Sequence, residues 1–210
     1  EEFVGLDRFE ARKKLLEELT KKELLVKEEN IKNKVPYGDR SNSVIEPFLT
    51  EQWFVDAKFL AKKAIEVVKK NKTNFFPNNW SKTYFDWMNN IQPWCISRQL
   101  WWGHRIPVWY CTKDVKETSG SDCNQIIVSI KKPDECPGCK NNIFSQDPDV
   151  LDTWFSSWLW PFATLGWPDD LDDLKRFYPT QDLVTGPDII FFWVARMIMA
   201  GKYFCNDIPF

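Results

Sequence analysis

Histidine is almost missing from these 210 residues: His104 stands alone, which excludes a centre built on several imidazoles. A basic excess is missing too. Lys and Arg number 28 against 30 Asp and Glu, for a formal net charge of -2 and a pI near 5.6. A free-standing nucleic-acid binder needs a surface whose field is positive, so any RNA contact is expected to be local. No apolar run reaches the roughly 20 residues that cross a bilayer. The longest, from Ile189 to Ala200, is broken by Arg196 and reads as a buried helix. The opening Glu1-Glu2-Phe3 carries no basic stretch followed by an apolar core, so no secretion signal is read. The expected location is cytoplasmic, with no membrane partner. Internal repeats and low-complexity tracts are also lacking.

What the chain does have is aromatic mass and cysteine. At 43% hydrophobic content it can bury a core of one or two domains. Its twelve tryptophans are the largest compositional oddity; large rings are core mass, interface mass or pocket walls.

Asp7 before Glu10 resembles a capping box, and the apolar spacing behind it predicts a helix from about Asp7 to Leu25, with a solvated outer face of lysines and glutamates. From Val26 to Thr50, Pro36, Gly38, Asp39 and Pro47 mark a connector. A second helix is predicted after Asp56, with Phe59, Leu60, Ile65 and Val68 on its apolar side. Residues 75–110 are crowded with aromatics and read as a rigid region. Residues 111–145 hold four cysteines, Gly120, Pro133, Pro137 and Gly138 but few core residues, as in a small insert that needs a staple. Beyond Asp147, residues 182–185 read as a strand, Gly186-Pro187 as a turn, and Ile189 to Ala200 as a helix closed by Gly201: half of a βαβ unit.

Cys136-Pro137-Gly138-Cys139 is a knuckle in which two thiolates around a Pro-Gly turn can face one tetrahedral ion. The other half is less regular, because Cys111 and Cys123 are far apart and the loop from Thr112 to Asp122 would have to bulge out. One structural zinc on Cys111, Cys123, Cys136 and Cys139 is expected; the alternative is four reduced thiols. Cys95 and Cys205 read as plain core residues, and His104 as a packing residue without a carboxylate partner nearby in sequence.

Five blocks carry a resemblance that covers nearly the whole chain: residues 5–12, residues 45–54, residues 94–104 with Trp101-Trp102-Gly103-His104, residues 149–157 with Asp152-Thr153-Trp154-Phe155-Ser156-Ser157, and residues 185–193 beginning Thr185-Gly186-Pro187-Asp188. In this order they resemble the class I aminoacyl-tRNA synthetases, and within them the valyl branch more closely than the isoleucyl and leucyl branches. The resemblance implies an α/β chain: the end of an editing insertion and its return connector over 1–45, a catalytic-domain segment over 46–110, a zinc-ribbon-like insert over 111–145, and the second half of a Rossmann-like nucleotide-binding fold over 146–210.

It also implies valine and ATP, with Mg, as substrates and tRNA(Val) as the partner of a full-length enzyme. Trp102 and Trp154 would wall the valine pocket, Asp149 would stand near the aminoacyl ammonium, and Gly186 and Asp188 would hold the adenosine ribose. A His-Ile-Gly-His type motif, a Lys-Met-Ser-Lys-Ser type loop and the editing pocket's aspartates do not occur in these residues. No residue here is therefore assigned a catalytic role, and the chain alone is expected to be inactive. Residues 147–188 hold nine aspartates against Lys175 and Arg176, a bias that suits a small-molecule site better than phosphate backbone. The rival reading is a non-catalytic zinc-ribbon module that stacks RNA bases on its tryptophans.

Overall fold

A computed structural model describes residues 2–112, 123, 125–169 and 171–210. The expected bulge between Cys111 and Cys123, with Gly120, falls on residues 113–122 and lies outside them. The chain separates into two compact units, residues 1–50 and 51–210.

In the first unit, helix α1 (Arg8–Lys21) starts on Asp7, whose carboxylate accepts the Phe9 N–H at 2.9 Å, and ends before Leu25, at Lys22. Arg8 donates to the Val44 carbonyl at 2.6 Å, and Arg12 pairs with Glu46 at 2.5 Å, so the helix is tied to the segment after a small turn bridged by Tyr37 and Val44. None of its described residues is buried. This unit is held by polar ties and has no core of its own.

The second unit holds the core. Helix α2 (Ala57–Lys69) is capped by Asp56, as the sequence predicts; of the four residues expected on its apolar side, Val68 is buried, Leu60 and Ile65 pack against the core, and Phe59 turns outward. Ala57, Ala61 and Ala64 are at most 2% exposed and Val67 and Val68 at most 5%, while Phe59 is 57% exposed. Small residues let another helix axis approach closely, and that gain outweighs burying Phe59. Helix α3 (Trp80–Asn89) packs on α2 and sends Tyr84 into the core, where its hydroxyl donates to the Ala64 carbonyl at 3.0 Å.

The strands are short and antiparallel. β1 (Phe54–Val55) pairs with β2 (Trp94–Cys95), and β3 (Ser97–Arg98) pairs with β7 (Val150–Leu151). β4 (Val108–Cys111) lies between β5 (Ile126–Val128) and β6 (Phe144–Gln146). Three short helices follow β7: α4 (Thr153–Ser157), α5 (Trp160–Ala163) and α6 (Asp172–Phe177).

The expected strand at 182–185 does not form. A strand is held by ladder bonds to a neighbour, no described residue pairs with this stretch, and Val184 is 95% exposed. The helix behind it is real but longer than expected. It opens as a tight turn (Pro187–Ile189), widens over Ile190–Val194, continues as α7 (Ala195–Ala200) and widens again over Gly201–Cys205. Gly201 does not close it. It is buried where a Cβ would sit 2.7 Å from the Tyr178 hydroxyl and 3.0 Å from the Asp207 carbonyl, so its missing side chain serves close packing. Asn206, at φ 53, ends the helix.

Candidate functional site

Two of the sequence blocks meet at one cleft of about 500 Å³. Trp102, Gly103 and His104 line one side, Thr153 and Ser156 from α4 line the other, and Val150 to Asp152 lie between them. Local structure explains the meeting. The backbone N–H of Leu151 donates to the His104 carbonyl at 2.7 Å, that of Asp152 to the Ile96 carbonyl at 2.7 Å, and Arg105 bonds the Asp147 carbonyl at 2.9 Å. Gly103 makes the approach possible, since a Cβ there would lie 2.8 Å from Val150 Cγ2.

Beneath the cleft sits a buried charge cluster. Asp152, 6% exposed, accepts from Trp94 Nε1 at 3.0 Å and faces Arg98 Nη2 at 3.4 Å and Arg196 Nη1 at 3.8 Å. Arg196 lies 3.7 Å over the Trp94 ring and its Nη1 makes no hydrogen bond. Burial brings its pKa down to about 10, against the pull of Asp152, so it stays charged at neutral pH. The sequence reading used Arg196 only as a break in an apolar run. A lone guanidinium inside such a run is itself the signal, because a buried charge must find a partner.

Asp147 anchors the neighbouring turn, accepting from Tyr110 at 2.6 Å, Trp53 Nε1 at 2.8 Å and the Asp149 N–H at 2.9 Å. Burial pushes its pKa up, but Tyr110, Trp53, the Asp149 N–H and the Arg105 charge together hold it below the usual carboxylate range. Tyr110 is correspondingly pushed up to about 12, by burial first and then by Asp147. Asp149 is half-buried and raised, by burial and by the adjacent Asp147 charge.

The other expected site residues fall in different places. Trp102 is 85% exposed and its neighbour Trp101 98%. The rigid aromatic region expected over 75–110 therefore has two indoles in solvent. Trp154 does not line the cleft; it stacks on Phe192 with ring centres 5.7 Å apart and planes 16° from parallel. Phe192 belongs to the helix that Asp188 helps open, so α4 shows Thr153 and Ser156 to the cleft and Trp154 to that helix. Gly186 and Asp188 are exposed at the helix start, and the Asp188 carboxylate lies where a Gly186 Cβ would be, 2.6 Å away. Thr185 and Pro187, which flank Gly186, line a separate cavity of about 870 Å³. Trp102, Trp154 and Asp188 thus do not share a described cavity.

His104 is not a packed core residue. It is exposed, and its Nδ1 lies 3.1 Å from Ser156 Oγ in a hydrogen bond whose donor depends on the imidazole tautomer. Cys95 and Cys205 are half-buried, short of the full burial expected, and Cys95 has the polar neighbours Gln52 and Ser97.

The four remaining cysteines come together as expected. Their sulfurs all lie within 4.8 Å of one another, with Cys111 and Cys139 at 3.5 Å and Cys123 and Cys136 at 3.5 Å. Four sulfurs about 2.3 Å from a tetrahedral zinc stand about 3.8 Å apart, so the quartet has the size of such a shell. β4 delivers Cys111, and the knuckle delivers Cys136 and Cys139, closed by the Cys136 N–H donating to the Asn141 carbonyl at 2.7 Å. Burial pushes the Cys111 thiol up to about 12. Burial acts the same way on Cys136, but the N–H groups of Cys139 and Gly138 aimed at its sulfur bring it down to about 7.

Comparison with known proteins identifies the family. Residues 9–210 match the family described as tRNA synthetases class I (I, L, M and V), and the chain belongs to that family. Among its relatives are proteins named valine-tRNA ligase: that of Pelagibacter ubique is 64% identical over all of this chain, and those of Clostridium tetani and Thermotoga maritima are each 55% identical over 99% of it. The chain spans 23% of the length of each of these relatives. No helix among the described residues is long and apolar enough to cross a membrane.

Proposed function

We propose that this chain supplies part of the amino-acid and adenosine sites of a valine-tRNA ligase, which joins valine to ATP as valyl-adenylate and passes the valyl group to tRNA(Val). One observation carries the reading: the Trp-Trp-Gly-His and Asp-Thr-Trp-Phe-Ser-Ser blocks, far apart in sequence, line the same cleft. A short branched side chain needs a partly apolar hollow, and Val150 and Leu151, with the exposed Trp102 at its rim, offer one with polar groups of Thr153 and Ser156 beside it. Trp154 supports the far side of α4, and Asp149, adjacent to Val150 though outside the cleft lining, would add negative charge toward the ammonium. Gly186 and Asp188 act on the ribose of ATP, the acid accepting from its hydroxyls where a missing side chain leaves room.

In this reading residues 146–210 belong to the second half of a Rossmann-like fold, and 1–45 to the end of an editing insertion. Cys111, Cys123, Cys136 and Cys139 would hold one zinc, whose contribution there is to cross-link β4 and the knuckle. Magnesium would accompany ATP elsewhere in the enzyme. The chain alone is inactive in adenylate formation, because the histidine and lysine motifs that neutralise the triphosphate do not occur in it.

Two measurements test this. Titrating the chain with a non-hydrolysable valyl-adenylate analogue should change its tryptophan fluorescence saturably, whereas length-dependent, salt-sensitive oligonucleotide binding in its place would favour the RNA-stacking module. Valine-dependent pyrophosphate exchange should stay at background, and a clear rate above it would contradict the assigned division of labour.

A further inference from the structure

The bond between His104 and Ser156 spans the cleft from one lining segment to the other. His104 sits two residues beyond Trp102, on a stretch whose backbone is already pinned to β7 by Leu151 and by the close approach of Gly103 to Val150. Ser156 sits one turn beyond Thr153 on α4, so both face the same side of that helix. The far face of α4 is fixed by Trp154 on Phe192. Each segment is therefore held from behind, and across the cleft this side-chain bond joins them. Both partners adapt to each other: a serine hydroxyl donates to a bare imidazole nitrogen or accepts from a protonated one, so the bond persists in either tautomer.

We propose that His104 and Ser156 form a latch that sets the width of the cleft and so helps to decide which aliphatic side chain it admits. This rests on the reading of the cleft as the valine subsite. Neither residue is a catalytic residue; His104 acts through Ser156 as a positioning residue. The physical reason is that a pocket rejects one extra methylene only as far as its walls refuse to move. A rigid pocket discriminates at this level by about 10- to 200-fold, and a wall free to shift gives much of that back. A single hydrogen bond shifts such a balance by a few-fold.

The test is calorimetric titration of the chain with two non-hydrolysable aminoacyl-adenylate analogues, one carrying valine and one isoleucine. In His104→Ala and in Ser156→Ala the preference for the valine analogue should fall at least about threefold, mainly through tighter isoleucine binding, with the thermal midpoint little changed. The double variant should be no worse than either single one. His104→Asn should restore the preference, because its carboxamide places a polar atom near the position of Nδ1. An unchanged preference in Ser156→Ala, or a double variant that falls further than both, overturns the latch while leaving the valine subsite standing. If the unaltered chain binds neither analogue, the subsite reading and the latch both fall. Should His104→Ala not fold, Ser156→Ala and His104→Asn decide the question.

Discussion

Replacing Asp152 by Asn removes one negative charge from a cluster that holds two positive ones. In the native cluster Arg196 Nη1 stands 3.8 Å from the carboxylate, a gross attraction of about 4 kcal/mol at the effective dielectric of 20 that suits protein sites. Arg98 is 39% exposed and can turn to water, but the Arg196 side chain is 9% exposed and cannot. Leaving a buried charge without its partner costs about 3–5 kcal/mol, so Asp152→Asn is expected to lower unfolding stability by that amount. Arg196→Met should cost less, because Trp94 Nε1 and Arg98 remain on the carboxylate. In the double variant the uncompensated guanidinium is gone, and much of the loss should be recovered.

Urea unfolding followed by tryptophan emission suits the question, since all twelve tryptophans lie in residues 51–210 and the first unit is silent. The cycle of two single variants and one double variant should give a coupling of at least about 2 kcal/mol. Additive losses, or an Asp152→Asn cost below about 1 kcal/mol, would refute the claim that this cluster is electrostatically closed beneath the cleft.

Other outcomes follow from the same geometry. Elemental analysis of the purified chain should find one zinc, released on acidification as protons compete for the thiolates; chelation should loosen β4, β5 and β6 in hydrogen exchange, and a zinc content far below one would remove the staple. Gly186→Ala has an ordinary backbone angle, φ -69, but its methyl would lie 2.6 Å from Asp188 Oδ1; stability should change by less than about 1 kcal/mol while affinity for the adenosine part of an adenylate analogue falls. Gly103→Ala should push on Val150 and lower stability by about 1–3 kcal/mol, with weaker binding at the cleft; an innocuous substitution would show that the loop carrying Trp102 is not pinned there.

Much of this was legible in the residues, and the gaps have physical causes. The cysteine quartet could be read because a Cys-x-x-Cys knuckle fixes its own geometry locally. The helix starts at Asp7 and Asp56 could be read for the same reason, each cap depending on one side chain and the next few N–H groups. Residues 182–185 have strand composition, but a strand is a property of two segments and its partner is not in the pattern. Phe59 misled because apolar spacing shows that a helix has a face, while the closest packing chose the alanines. Gly201 misled because a glycine's two uses, ending a helix and admitting a neighbour, look alike in sequence. Arg196, Asp152 and Asp147 were under-read, since their partners come from segments far away along the chain. Trp102, Trp154 and Asp188 do not converge on one cleft: Trp102 lines it, Trp154 stacks behind α4 on Phe192, and Asp188 is exposed at the start of the last helix, because their relative placement depends on segments far apart along the chain.

The central claim is that the cleft beside Trp102 receives the aminoacyl part of the ligand. An indole N–H spectrum of the ¹⁵N-labelled chain, with the twelve signals assigned by single Trp→Phe variants, tests it most directly. Adding the valyl-adenylate analogue should shift the Trp102 signal and leave Trp160, in α5 and outside the cleft lining, in place. A spectrum in which Trp102 stays fixed while the analogue binds would contradict the claim.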